Sequence, residues 1–143
     1  METNVLKLHY KVIGKDFSRA GEASSALKKV LRTLGVAPDI IRKVSIPIYE
    51  AEINMVNHAN GGTIDVEIKP DLVHVTLSDN GPGIADLNLA MQEGYSTASE
   101  NVREMGFGAG MGLPNIKKYS DELKIKTEVG KGTVLEIFIK IPE

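Results

Sequence analysis

The stretch TIDVEIKPDLVHVTLSDNGPG, Thr63 to Gly83, decides what kind of fold this chain can adopt. Ile64, Val66 and Ile68 alternate with Asp65, Glu67 and Lys69; Val73, Val75 and Leu77 alternate with His74, Thr76 and Ser78. A period of two predicts half-buried strands over Thr63–Lys69 and Leu72–Ser78. Pro70-Asp71 joins them as a tight turn, so the second strand returns antiparallel to the first. That strand then runs into Asp79-Asn80-Gly81-Pro82-Gly83, a cluster of turn-forming residues.

On the N-terminal side, Val5 to Ile13 alternates as a strand closed by Gly14. A helical spacing begins at Asp16 or Ser18 and continues through Ala20, Ala23, Leu27, Val30, Leu31 and Leu34 to a left-handed stop at Gly35. A second helix is expected from Ala37-Pro38-Asp39 to about Ala59, ended by Asn60-Gly61-Gly62. Pro38 suits its first turn, whereas Pro47 is expected to kink or interrupt it. On the C-terminal side, Asp79 to Gly112 is polar and rich in glycine, with one short helix expected near Asp86 to Met91. Leu113 to Leu123 reads as a helix with Pro114 in its first turn. Lys124 to Glu128, the turn Gly130-Lys131-Gly132 and Thr133 to Ile141 complete a second hairpin. Hairpins with helices segregated between them predict an α+β fold, with a mixed, mostly antiparallel sheet and helices on one face.

Bulk properties narrow the function. The 143 residues suit one domain, expected to span 1–143, and 42% hydrophobic with 25% charged residues is ordinary globular usage. With no Trp, three Phe and four Tyr, the core is expected to be aliphatic. A net charge of −2 and the lack of a basic run argue against a nucleic-acid or lipid-headgroup partner. Zero cysteines exclude disulfides, thiolate metal sites and cysteine nucleophiles. The N-terminus lacks a basic segment followed by an apolar one, and no apolar run approaches the ~20 residues that span a bilayer. A soluble cytoplasmic protein, without a membrane partner, is the expectation.

Four clusters carry chemistry. Glu50, Asn54 and Asn57 recur at helical spacing on one face, with His58 beside them. Solvation alone accounts for such a face, yet a carboxylate one turn before a carboxamide also suits a general base beside a neutral oxygen ligand for Mg²⁺. Asp79 to Gly83 is accounted for by a turn, and it equally suits an adenine pocket, the carboxylate accepting from the exocyclic amine while glycines admit the base. Gly106-Phe107-Gly108-Ala109-Gly110-Met111-Gly112-Leu113 places a glycine at every second position before a helix. A hinge or a phosphate cradle built from backbone N–H groups both fit it. No Gly-Lys-Ser/Thr follows, which excludes a Walker loop, and the missing strand–turn–helix unit excludes a Rossmann site. Gly130-Lys131-Gly132-Thr133 is a hairpin turn whose threonine could also reach toward adenine beside Asp79.

In order, Glu50-Ala51-Glu52-Ile53-Asn54, Asp79 to Gly83, Gly108 to Leu113 and Gly130 to Thr133 resemble the N box and three glycine boxes of the GHKL ATPases. Within that superfamily the chain is similar to the small anti-sigma-factor serine kinases of bacterial partner switching, through Gly94 to Ala98 and Gly110 to Pro114 in particular. The resemblance implies a Bergerat-type two-layer α/β sandwich that binds ATP and Mg²⁺. It implies Glu50 as catalytic base, Asn54 as the Mg²⁺ ligand and Asp79 as the reader of adenine N6. Gly81 and Gly83 would shape the pocket. Gly108, Gly110, Met111, Gly112 and Leu113 would belong to the nucleotide site, with the three glycines lining the phosphates, and Thr133 would support adenine recognition. Residues from about 86 to 106, Arg103 among them, would form a mobile lid. The implied activity is protein serine/threonine phosphorylation of a STAS-domain antagonist. The alternative is an ATP-gated module that sequesters a sigma factor or activates a PP2C-type phosphatase, and a homodimer is among the assemblies the resemblance suggests. With only His9, His58 and His74, and no phosphoacceptor helix pair, a self-sufficient histidine kinase is not expected.

Overall fold

Apolar alternation sorts each strand into a face toward the helices and a face toward solvent. A computed structural model describes residues 5–58, 61–81, 83 and 112–142, without the side chains of Asn57 and His58. The helix expected near Asp86–Met91 and the lid over 86–106 lie outside the described residues.

Strand β1 (Leu6–Ile13) pairs with β2 (Gly61–Lys69), and β2 pairs with β3 (Leu72–Asp79). β3 then pairs with the last strand, β5 (Gly132–Lys140), and β4 (Glu122–Glu128) lies outside it. The sheet order is β1-β2-β3-β5-β4, and each of these pairings is antiparallel. Register puts Gly62 opposite Asp79, Asp79 opposite Thr133 and Thr133 opposite Thr127. One row of residues therefore crosses four strands at a single end of the sheet.

The inner face carries Ile64, Val66, Val73, Val75, Leu77, Ile137 and Ile139, which pack under Leu27, Leu31, Val44, Ile48, Val56 and Ile116 of the helices. Burying each of these side chains is worth roughly 1.5–3 kcal/mol before chain entropy is counted. The opposite face is polar. His9 Nδ1 lies 2.6 Å from Asp65, and His74 stacks on Phe138 with Nε2 3.1 Å from Glu136. Both strand histidines thus bond within the sheet.

Helix α1 (Glu22–Thr33) begins after a 3₁₀ turn at Phe17–Arg19, and its N-cap, Gly21, has no side chain with which to cap it. The carboxylate of Glu52 replaces that cap from another helix. Its oxygens accept from the backbone N–H groups of Gly21 and Ala23 at 3.1 Å and of Ser24 at 3.0 Å. A helix N-terminus offers unpaired donors and positive potential, and a carboxylate that is 2% exposed answers both. Gly35 adopts φ +78° at the other end, the left-handed stop that the sequence suggests.

Helix α2 (Pro38–His58) packs on α1 and crosses the sheet. It runs without a break through Pro47, where the sequence predicts a kink or an interruption. Pro47 removes one helical hydrogen bond, but its ring is buried, and the packing of Val44, Ile48 and Ala51 around it favours a continuous helix. Helix α3 (Gly112–Tyr119) is shorter than the expected Leu113–Leu123. Its end is set by contacts outside the helix. The Asp121 N–H bonds the Phe138 carbonyl at 3.0 Å, and its carboxylate accepts from Lys43 Nζ at 2.8 Å and the Lys140 N–H at 2.7 Å. Partial burial would raise the Asp121 carboxyl; these donors and both lysine charges outweigh it, and the group titrates below the usual carboxylate range. The chain is drawn into β4 at Glu122, so Leu123 belongs to a strand. No helix among the described residues is long and apolar enough to cross a membrane.

Glu52→Ala should lower unfolding stability by about 3 kcal/mol, because three N–H groups at a buried helix end lose their acceptor. Glu22→Ala, at an exposed first-turn acid of the same helix, should cost no more than about 0.5 kcal/mol. Urea denaturation of both variants checks the difference; similar small losses would contradict the capping role.

Candidate functional site

At the open end of β3 the Asp79 carboxylate is anchored by backbone. Its Oδ1 accepts from the Gly81 N–H at 2.8 Å, closing a local turn, and from the Thr133 N–H at 3.2 Å across the β3–β5 pair. Oδ2 is left without a hydrogen-bond partner among the described residues, held at a fixed place by the bonds to its neighbour. Gly132, with φ +121°, permits the approach of the strands here: a Cβ on it would stand 2.1 Å from the Asp79 carbonyl oxygen. Gly83 is equally constrained, since a Cβ there would lie 2.4 Å from the Glu128 carbonyl. The segment leaving Asp79 therefore rests on the β4–β5 turn. Thr133 is buried, at 8% exposure, and its hydroxyl lies 2.9 Å from that of Thr127.

A second group sits where α2 meets α3. Glu50 is half-buried on α2, and its carboxylate hydrogen-bonds the side chain of Asn115 in the first turn of α3. Burial raises the Glu50 carboxyl above the ordinary glutamate range, and the Asn115 bond offsets part of that rise. Tyr49 beside it is also raised, by burial first and then by the charges of Glu50 and Glu52. Asn54 is partly exposed one turn further along α2.

Met55 connects the two groups. A Cβ on Gly62 would lie 2.7 Å from its Cε and 2.0 Å from the Ser78 carbonyl oxygen. Gly62 pairs with Asp79, so the turn of α2 that carries Asn54 and Met55 lies over the end of β3 where Asp79 is held. The lack of a side chain at Gly62 is what lets helix and sheet approach there.

Of the residues expected from sequence, Asp79, Gly81, Gly83 and Thr133 share the sheet end, while Glu50 and Asn54 share α2. Gly112 and Leu113 open α3, but the Leu113 side chain is buried in the core, so only its backbone could face a ligand. Gly108, Gly110, Met111 and Arg103 lie outside the described residues, as do the side chains of Asn57 and His58. Asn115 was missed: Leu113 to Leu123 reads as an amphipathic helix, and the only signal was a polar residue three positions after the last glycine of the run. The chemistry of the donors fits a nucleotide. Asp79 can accept from an amine, Asn54 offers the single neutral oxygen that a hydrated Mg²⁺ takes, and Glu50 is a carboxylate with raised basicity.

Residues 43–143 match the family described as histidine kinase-, DNA gyrase B-, and HSP90-like ATPase. The chain is similar to the serine/threonine-protein kinase RsbT of Bacillus subtilis, with 28% identity over 113 residues that cover 76% of this chain and 79% of that protein. It is similar to the anti-sigma F factor of Geobacillus thermodenitrificans, with 32% identity over 103 residues, 68% of this chain and 67% of that one. Among solved structures, the RsbU and RsbW domains of a Mycobacterium tuberculosis protein superpose with a TM-score of 0.64 at 16% identity. That match covers 96% of this chain and 33% of the other, and it bears on the fold alone. From the order of its motifs, its five-stranded sheet and this match over residues 43–143, the chain belongs to the histidine kinase-, DNA gyrase B- and HSP90-like (GHKL) ATPases.

Proposed function

We propose that this chain is a protein serine/threonine kinase of a bacterial partner-switching system, using Mg·ATP to phosphorylate a STAS-domain antagonist. The observation that carries the reading is Glu50: a half-buried carboxylate of raised basicity, bonded to the helix that follows the glycine run, on the same helix as Asn54. Among the described residues no buried cation stands beside it, and burial of such a group is costly to a structural role and useful to a general base. The name of the Bacillus subtilis relative, a serine/threonine-protein kinase, supports the same activity.

Bound Mg·ATP supplies the phosphoryl group. Asp79 Oδ2 would accept from the adenine amine, while its neighbour oxygen, tied to the Gly81 and Thr133 N–H groups, keeps it in place. Asn54 would hold the magnesium ion through its amide oxygen. Glu50 would accept the proton of the protein substrate's hydroxyl as that oxygen bonds to the γ-phosphorus and ADP leaves. Gly112 opens α3 with its N–H groups directed outward from the helix end, where phosphate oxygens are favoured. The anti-sigma F factor relatives favour a second reading, in which the same pocket gates sequestration of a sigma factor and ATP acts as a conformational ligand.

Incubation with γ-labelled ATP and candidate STAS-domain proteins separates the two. Label on a serine or threonine of the partner, abolished in Glu50→Gln while ATP affinity is retained, is the expected result. Tight ATP binding with no label on any partner favours the gated module.

Asp79→Asn keeps an oxygen for the Gly81 and Thr133 N–H groups but turns an NH₂ toward the adenine amine. ATP affinity should fall by roughly 10- to 100-fold, the cost of one unmatched buried polar contact. Calorimetry with Mg·ATP reads this directly, and unchanged affinity would place adenine elsewhere.

Phosphotransfer requires ionised Glu50. Because its folded pKa lies above the ordinary range, activity should begin to fall, as pH decreases, at a higher pH than an ordinary carboxylate would dictate. Asn115→Leu removes the bond that lowers that pKa, so the acid limb should move further up. An acid limb unmoved by Asn115→Leu would contradict the assignment of Glu50 as the titrating base.

A further inference from the structure

Thr127 lies on β4, two strands from Asp79, in none of the sequence motifs. It nonetheless closes the row at the end of the sheet. Strand register places it opposite Thr133, which is opposite Asp79, and alternation puts all three on the helix-facing side. Its Oγ1 lies 2.9 Å from Thr133 Oγ1 and 3.4 Å from the Gly132 carbonyl oxygen, while the Thr133 N–H bonds Asp79 Oδ1 at 3.2 Å.

We propose that Thr127 is a positioning residue of the nucleotide-base site: it engages the Thr133 hydroxyl and so directs that group's remaining hydrogen-bonding capacity to the space beside Asp79. A threonine hydroxyl has one proton and two lone pairs, and its direction is set by the partner that takes one of them. Thr133 is buried, with its backbone already committed to Asp79 and to the β3–β5 ladder. Thr127 holds the remaining freedom, rotation of the hydroxyl and of χ1. Both side chains are β-branched and stiff at χ1, which limits the arrangements in which the two hydroxyls meet. The inference rests on the nucleotide reading above, and it adds a residue outside the β5 turn to the base pocket. A threonine pair serving only to brace the β4–β5 hairpin would alter melting and leave nucleotide recognition untouched.

A double-mutant cycle tests this, with ATP dissociation constants measured for wild type, Thr127→Val, Thr133→Val and the double variant. Thr127→Val should weaken ATP binding about tenfold in the wild-type background, as for loss of one ordered hydrogen bond. In the Thr133→Val background the same change should cost less than about twofold, because it acts through a hydroxyl that is already gone. Thr127→Ser, which keeps the hydroxyl, should restore wild-type affinity; Thr127→Ala serves in place of valine if the latter repacks the hairpin. In nucleotide-free protein, the χ1 couplings of Thr133 should report one rotamer in wild type and averaging in Thr127→Val. Equal costs in both backgrounds, or wild-type affinity in Thr127→Val, overturn the inference while leaving the ATP site standing. Wild-type protein that binds no ATP overturns the proposed function and this inference with it.

Discussion

A buried carboxylate that caps a helix other than its own sets the geometry from which the rest follows. Glu52 reaches from the middle of α2 to three backbone N–H groups at the start of α1, at 2% exposure. Burying an ionised carboxylate is expensive unless its oxygens are matched by donors, and a helix N-terminus with a glycine N-cap has donors to spare. Each end of the contact needs the other. The rotation of α2 about its axis is thereby tied to α1. With Glu52 turned toward α1, Glu50 lies toward α3 and Asn54 follows it one turn on. Two glutamates two positions apart thus have different fates: one holds the helices together, the other is left half-buried with a raised pKa.

The sheet makes a complementary constraint. Gly62, Asp79, Thr133 and Thr127 form a single row across β2, β3, β5 and β4. Glycine at one end of the row admits Met55 of α2, and glycine at 132 admits the Asp79 backbone. The middle of the row is polar in a sheet whose next inner row is aliphatic. Among the described residues, strand ends, a turn and α2 meet at this end of the sheet without Ile and Val filling the space, which is why the proposed site is placed there. A shared fold does not fix what a nucleotide is used for; under the proposed function the carboxylate on α2 and the partner surface would decide it.

Much of this was legible before any coordinates. The β2–β3 hairpin followed from strict alternation, and the Gly35 stop and the Pro38 start followed from local backbone chemistry. Asp79 stood out as a carboxylate at a strand end followed by two glycines, and Thr133 as a hydroxyl opening the last strand after the Gly130-Lys131-Gly132 turn. What could not be read depends on contacts between distant residues. Glu52 caps a helix 28 to 31 positions earlier, and no periodicity reports that. Leu123 continues the helical spacing of Leu113 and Ile116, yet Asp121 is bonded to Lys43 and Lys140 and draws the chain into β4. Pro47 argues for a kink or a break on propensity, and the packing around it keeps the helix continuous. Asn115 and Thr127 carried no motif at all; their significance lies in what stands opposite them.

The central claim is that the Asp79 end of the sheet and the Glu50–Asn54 face of α2 bind one ligand together. Titration of isotope-labelled protein with Mg·ATP, followed by NMR, tests it most directly. The account predicts that the backbone amides of Gly81 and Thr133 shift together with the side-chain amides of Asn54 and Asn115, all saturating with one dissociation constant. Shifts confined to one of the two groups, or two groups saturating at different concentrations, would contradict it.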